Sequence, residues 1–365
     1  MKVPAGRLDR GFLKYRDEFE ERALEVLRSG YYCLGPQVSE FEKEFARYTG
    51  SEYAVGLASG LDALYLAFRA LKIGKGDEVL VQGNTYIASV MGITMNGATP
   101  VFIEPDNYYQ IDAEKLREKI TEKTRAILVV HLYGQVADME KISKICREYN
   151  LKLVEDCAQS HGAKFNGKMT GSFSHVGCFS FYPSKNLGAF GDGGAIVTDN
   201  EEIAKEIRML RNYGSSKRYY FDEVGVNSRL DELQAGLLRV RLSHMDEVTG
   251  ERCEIAKRYR EGIKNPLIML PSERENTFSV WHQFVVRTKK RDKFKEYLEK
   301  HDIGTIIHYP IPPHLSKCYK SFGYVKGDFP ITEKMADEVL SLPMFNGLTK
   351  EEEDYVIDII NSYEG

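Results

Sequence analysis

The chain has 365 residues, 42% hydrophobic and 28% charged, a balance that excludes disordered, collagen-like and coiled-coil chains. Lys and Arg number 50 against 54 Asp and Glu, a net charge of −4, so no basic field exists to draw nucleic acid or an anionic membrane. In chain order, Phe19, Ala23, Val26 and Leu27 recur at helical spacing and Ser29-Gly30 stops that helix. A second helix is predicted from Gln37 to Tyr48. A rhythm then begins. Strands are predicted at Tyr53–Leu57, Glu78–Val81, Pro100–Ile103, Ala126–His131 and Lys152–Glu155. Helices between them are predicted at Leu61–Leu71, Ile87–Met95, Asp112–Ile120 and Met139–Tyr149. Such alternation implies a mostly parallel sheet covered by helices on both faces. Ligands collect at the carboxyl ends of its strands. Gly177–Phe181 and Gly194–Thr198 read as further strands, Ile203–Asn212 as a helix, and Leu230 to about Arg260 as one long helical tract. From about Asn265 the order is mixed and reads as a smaller α+β unit.

Six cysteines, at 33, 146, 157, 178, 253 and 318, include no C-x-x-C pair. They read as buried small hydrophobes of a reducing compartment. No secretory leader or membrane-length apolar run is evident, and the expected setting is the cytoplasm. The eight histidines are scattered without H-x-x-x-H spacing, so no metal is expected.

Four segments at strand ends carry chemistry. Ala58-Ser59-Gly60-Leu61-Asp62 joins a strand to a helix, whose open N–H groups suit a phosphate. Asp156, delivered by an apolar strand, could fix a cation, a metal or a protonated ring nitrogen, or simply cap a helix. Phe181-Tyr182-Pro183-Ser184-Lys185-Asn186 surrounds a lysine with aromatics and Pro. A partly desolvated amine has a lowered pKa and condenses readily with an aldehyde. Asn84-Thr85-Tyr86 and Tyr133 offer aromatic faces that could stack on a planar ring or pack in the core. Together the segments suit a protonatable planar ring bearing a phosphate and an aldehyde. Pyridoxal phosphate is such a ring.

The motifs A-S-G-L-D-A-L, N-T-Y-I-A-S, V-E-D-C-A-Q-S-H-G-A, F-S-F-Y-P-S-K-N-L-G, G-D-G-G-A-I-V-T and G-V-N-S-R-L-D-E-L-Q-A-G occur in this order along the chain. With them the chain resembles the DegT/DnrJ/StrS group of nucleotide-sugar aminotransferases, within fold type I of the pyridoxal-phosphate enzymes. The resemblance implies a large α/β domain over residues 1–245 and a smaller α+β domain over 246–365. It implies that Lys185 binds the cofactor and shuttles protons. Asp156 would pair with the pyridine nitrogen, Gln159 would lie near the phenolic oxygen, and Tyr86 would stack on the ring. Gly60, Leu61 and Ser180 would hold the phosphate. Asn227 would reach a neighbouring subunit's phosphate, which implies a homodimer with shared sites.

The reaction implied moves an amino group from L-glutamate to a nucleotide-linked keto sugar. The spelling of Gly225–Asp231 and Ile307–His314 is most similar to the branch acting at C3 of dTDP-3-oxo-6-deoxyhexoses. Tyr182, His308 and Tyr309 would line the sugar pocket, and Arg229 would bind a carboxylate or phosphate or pair at the interface. The alternatives are amination at C4 of a UDP-, GDP- or dTDP-linked 4-keto sugar, and a non-catalytic regulator. Lys185, where sugar dehydratases of the group carry His, argues against dehydration. The destination of the amino sugar, lipopolysaccharide among others, is left open.

Overall fold

The computed structural model describes residues 1–365. Three helices open the chain: α1 (Leu8–Lys14), α2 (Arg16–Ser29) and α3 (Pro36–Thr49). Then follow β1 (Tyr53–Leu57), α4 (Gly60–Ala70), β2 (Glu78–Gln82), α5 (Ile87–Thr94), β3 (Thr99–Ile103), β4 (Thr124–Val130), α6 (Met139–Glu148) and β5 (Lys152–Asp156). A small hairpin, β6 (Lys164–Phe165) and β7 (Lys168–Met169), precedes β8 (Val176–Ser180), β9 (Gly194–Thr198) and α7 (Glu201–Leu210). A second hairpin, β10 (Ser215–Lys217) and β11 (Tyr220–Phe221), leads to α8 (Glu232–Ser243) and α9 (Met245–Gly262). The chain ends with β12 (Thr277–Phe278), β13 (Phe284–Arg287), α10 (Arg291–Lys300), α11 (Pro330–Glu338), β14 (Val339–Leu342) and α12 (Lys350–Asn361).

The central sheet has seven strands in the order β1-β9-β8-β5-β4-β2-β3. Only β9 runs against the others. The strands read as apolar runs because both faces are covered. Alternate side chains sort to opposite sides. Val79, Val81, Ala126 and Leu128 meet α4, α5 and α7 in one core. Leu80, Ile127, Val129 and Leu153 meet α6 in another. This is the mostly parallel, helix-flanked α/β architecture expected. A further core joins α9, β13, α10, β14 and α12, and Val3 from the amino terminus packs into it.

Local chemistry sets the element ends. Ser59 accepts the Asp62 N–H at 3.1 Å and caps α4. At the start of α3, Pro36 occupies the first turn, and the Glu232 carboxylate accepts the N–H groups of Gly35, Gln37 and Val38 at 2.7, 2.9 and 2.9 Å. This carboxylate is buried and completes the helix N-terminus from 195 residues away. Glu232→Ala is expected to cost about 3 kcal/mol of stability, with Glu232→Gln recovering part of it. Chemical denaturation of the two variants measures the difference.

Four expectations are corrected. Asp112–Ile120 is not a helix but two 3₁₀ turns, Ala113–Lys115 and Arg117–Lys119. Asp112 does cap the first, but only Ala113 and Leu116 are buried, too narrow an apolar stripe to hold a longer helix. The tract from Leu230 to Arg260 is two helices broken at His244, whose ring stacks on Tyr15 with centroids 4.0 Å apart and faces Glu18 at 2.9 Å. Of the cysteines, 146, 157 and 178 are buried, whereas Cys253 is half-buried and Cys33 and Cys318 are exposed. Val26 and Phe19 are buried on α2 as their spacing predicts, but Leu27 is exposed.

Candidate active site

One cleft of about 550 Å³ opens along the carboxyl edge of the sheet, at the ends of β1, β2, β4, β5 and β8. The antiparallel strand β9 starts at that same edge. Its Gly194 could carry no Cβ, which would fall 2.3 Å from the Ser59 carbonyl carbon. Gly60 is equally constrained, since a Cβ there would lie 2.5 Å from the Ser180 Cβ. The start of α4, Ser180 and the start of β9 are thus pressed together. The first N–H groups of α4, on Gly60 and Leu61, have no acceptor within the helix. With the Ser180 hydroxyl they form a cradle of hydrogen-bond donors that could hold a phosphate.

Asp156 ends β5, 5% exposed. One carboxylate oxygen accepts the Ser89 hydroxyl at 2.8 Å and the other the Ala158 N–H at 3.1 Å. Thr85 and Ser89 hydroxyls lie 2.7 Å apart, and because the carboxylate accepts from Ser89, Thr85 donates to Ser89. Burial pushes the Asp156 carboxyl up, while Ser89, the Ala158 N–H and the Lys185 charge oppose that push. A cationic ring nitrogen in the cleft would find this carboxylate already oriented.

Lys185 follows β8 in the turn Tyr182–Lys185, where its N–H donates to the Tyr182 carbonyl at 2.8 Å. Burial lowers its amine to about 8, with Asp156 acting in the opposite sense. The fraction of neutral, nucleophilic amine therefore rises through about pH 8. Reductive methylation of the cofactor-free protein by formaldehyde should modify Lys185 with a midpoint near that pH. Mass spectrometry of the digested protein measures it.

The Gln159 amide is held at both ends. Its oxygen accepts the Tyr133 N–H at 2.6 Å and its nitrogen donates to the Tyr309 hydroxyl at 3.0 Å. Tyr86 lies half over the opening, 53% exposed, with its ring tilted 36° to that of Tyr309 at 5.2 Å. Tyr182 and His308 also line the cleft, and His308 Nδ1 lies 2.8 Å from the Ser341 hydroxyl. Burial draws the His308 ring down to about 4, so it is neutral at pH 7.

The structure therefore brings together Gly60, Leu61, Tyr86, Asp156, Gln159, Ser180, Tyr182, Lys185, His308 and Tyr309. It does not bring in Asn227 or Arg229. Ser228 ties their segment to the start of α4 by accepting the Ala58 N–H at 3.1 Å and donating to Asp62 at 2.7 Å. Asn227 nevertheless faces outward, and Arg229 donates to Asn212 at 3.2 Å. Sequence reasoning missed Ser89, His282 and Asn186. Ser89 stands one helical turn after Tyr86, a spacing that could have flagged it. Asn186 donates to the Val280 carbonyl at 2.9 Å and faces His282 Nδ1 at 3.1 Å. No sequence signal pairs positions 186 and 282.

His131, Glu155 and Cys157 also cluster beneath the cleft. His131 Nδ1 accepts the Ala137 N–H at 3.3 Å, so Nε2 donates to Glu155 at 2.9 Å. Glu155 also accepts the N–H groups of Gly171 and Phe173. The group is a satisfied hydrogen-bond network under Asp156.

The model of the DegT/DnrJ/EryC1/StrS aminotransferase family matches residues 14–361. The transaminase for dTDP-3-amino-3,6-dideoxy-α-D-galactopyranose from Aneurinibacillus thermoaerophilus is 52% identical over 96% of this chain and 96% of that protein. The transaminase for dTDP-3-amino-3,4,6-trideoxy-α-D-glucose from Streptomyces venezuelae is 45% identical over 99% of this chain and 96% of that protein. The crystal structure of S. venezuelae DesV, in complex with a ketimine intermediate, superposes with a TM-score of 0.97 at 45% identity, covering 99% of this chain and 98% of that one.

Proposed function

The chain belongs to the DegT/DnrJ/EryC1/StrS aminotransferase family, and from that premise we propose that it aminates C3 of a dTDP-linked 3-oxo-6-deoxyhexose, with L-glutamate as donor. It is a pyridoxal-phosphate-dependent sugar-nucleotide aminotransferase. The observation that carries the chemistry is the desolvated Lys185 amine sharing one cleft with the oriented Asp156 carboxylate and the Gly60–Leu61–Ser180 cradle. The 52% identity to a 3-amino-sugar transaminase supports the position of amination.

When bound, pyridoxal phosphate supplies an electron sink for the reacting carbon. The residues here do the rest. Gly60, Leu61 and Ser180 would bind its phosphate, Asp156 would hold its ring nitrogen protonated, and Gln159 would face its phenolic oxygen. Tyr86 would cover the ring. The Lys185 amine takes a proton from the donor's α carbon in one half-reaction and delivers one to the sugar's C3 in the other. The neutral His308 ring, Tyr309 and Tyr182 face the sugar.

The test is a single turnover. Protein loaded with pyridoxamine phosphate is mixed with dTDP-4-keto-6-deoxyglucose, with and without a 3,4-ketoisomerase. Return of the near-visible band of lysine-bound cofactor only with the isomerase is the expected result. Return without it moves amination to C4, and silence in both removes the dTDP substrate.

The proposal includes a homodimer with shared sites. Two observations support it: Asn227 and Arg229 lie outside their own chain's cleft, and the β10–β11 region exposes Tyr219, Tyr220, Phe221 and Val224 beside them. Lys185→Ala and Asn227→Asp subunits, each inactive alone, are expected to regain one working site per mixed dimer. No recovery in verified heterodimers would exclude sharing. No helix is long and apolar enough to cross a membrane. The exposed thiols Cys33 and Cys318 favour a reducing, cytoplasmic setting within the same proposal.

A further inference from the structure

The turn after β4, Leu132–Gly134, has no assigned part in the chemistry, yet two segments beyond α9 are fastened to it. Tyr133 has φ +63. A bulky residue in the left-handed region costs of order 1–3 kcal/mol and persists only where its surroundings fix it. Glycine would hold that backbone more cheaply, so the side chain is what the position requires. It is buried, and its hydroxyl donates to the His308 carbonyl. Its N–H donates to the Gln159 oxygen at 2.6 Å, and Gln159 in turn donates to the Tyr309 hydroxyl at 3.0 Å. These bonds close a ring through Tyr133, Gln159, Tyr309 and His308. The Tyr133 carbonyl also accepts the Gln283 N–H at 3.3 Å, and the Gly134 carbonyl accepts the Val280 N–H at 3.0 Å. Gly134 must be glycine, because a Cβ would meet the His282 nitrogen at 2.8 Å. The residues that the chain beyond α9 gives to the cleft are His282, Gln283, His308 and Tyr309. They sit on two segments, both bonded to this one turn.

We infer that Tyr133 is a positioning residue for the sugar half-reaction: its hydroxyl latches the His308–Tyr309 segment to the sheet edge, so that these two side chains and the Gln159 amide hold one arrangement. Its side chain does not line the cleft. The inference rests on the aminotransferase reading for its kinetic consequence, but the latch itself is testable without cofactor.

Tyr133→Phe removes the hydroxyl and keeps the ring and the N–H bond to Gln159. In cofactor-free protein, hydrogen–deuterium exchange is expected to quicken about tenfold at the amides of 306–309 and of Ile311 and to stay unchanged in the sheet, the loss expected for one buried hydrogen bond. In loaded enzyme, KM for the nucleotide sugar should rise about tenfold with kcat within about twofold, and the half-reaction with L-glutamate alone should be unaffected. Tyr309→Phe opens the same ring at its other link. The double variant should be no more than about twofold worse than the worse single one, because both act through one unit. Unchanged exchange at 306–311 would overturn the latch, as would a uniform rise across the whole chain, which marks general destabilisation. Equal losses in both half-reactions, or fully multiplicative effects in the double variant, would overturn positioning. If wild-type protein turned over no sugar nucleotide while the exchange result held, the substrate assignment would fail and the latch would stand.

Discussion

Lys185→Ala is expected to lose turnover by about 10⁴-fold or more, since under the proposed function it removes both the covalent anchor and the acid–base group of each half-reaction. The near-visible band of lysine-bound cofactor should vanish with it. The groups nearby are poor substitutes: burial lowers the His282 and His308 rings and makes them weak bases, and it raises the Tyr309 hydroxyl and makes it a weak acid. Added methylamine should restore a little activity, because the cleft keeps the Asp156 carboxylate and the phosphate cradle. Absorbance and steady-state kinetics on the purified variant decide it. An unchanged band would exclude this lysine as the anchor.

Asp156→Asn is expected to keep the cofactor bound and to slow turnover by about 10²- to 10³-fold, the range for losing one preorganised electrostatic partner. The carboxylate accepts from both Ser89 and the Ala158 N–H. An amide can accept on one side only, and its NH₂ would face a donor on the other. The variant therefore loses the negative charge that, under the proposed function, would keep the ring nitrogen protonated, and it also disturbs the Thr85–Ser89 chain behind it. Turnover within about twofold of wild type would show that the ring nitrogen needs no anionic partner.

Much of the cleft was legible in the chain because this fold delivers strand ends to one edge. An apolar run followed by a polar or glycine-rich turn marks such an end, and Ser59-Gly60, Asp156, Ser180 and Lys185 all stand at one. Helix extent was less legible. Asp112 capped its turn as expected, but local pattern could not tell that only Ala113 and Leu116 beyond it would find a core. His244 ended a helix because Tyr15 and Glu18 wait across the fold.

The sequence by itself determined the alternating architecture, the edge where ligands gather and the residue types that suit a phosphate, a ring nitrogen and an aldehyde. Those features depend on neighbours within a few positions, through periodicity, capping and turn chemistry. Only the tertiary structure decided how Asp156 is oriented by Ser89, how Glu232 completes α3 and how Tyr133 fastens the His308 segment. Each of these joins positions 67, 195 or 175 apart in the chain. A hydrogen bond of that span depends on how whole elements pack, and no local pattern in the chain records it.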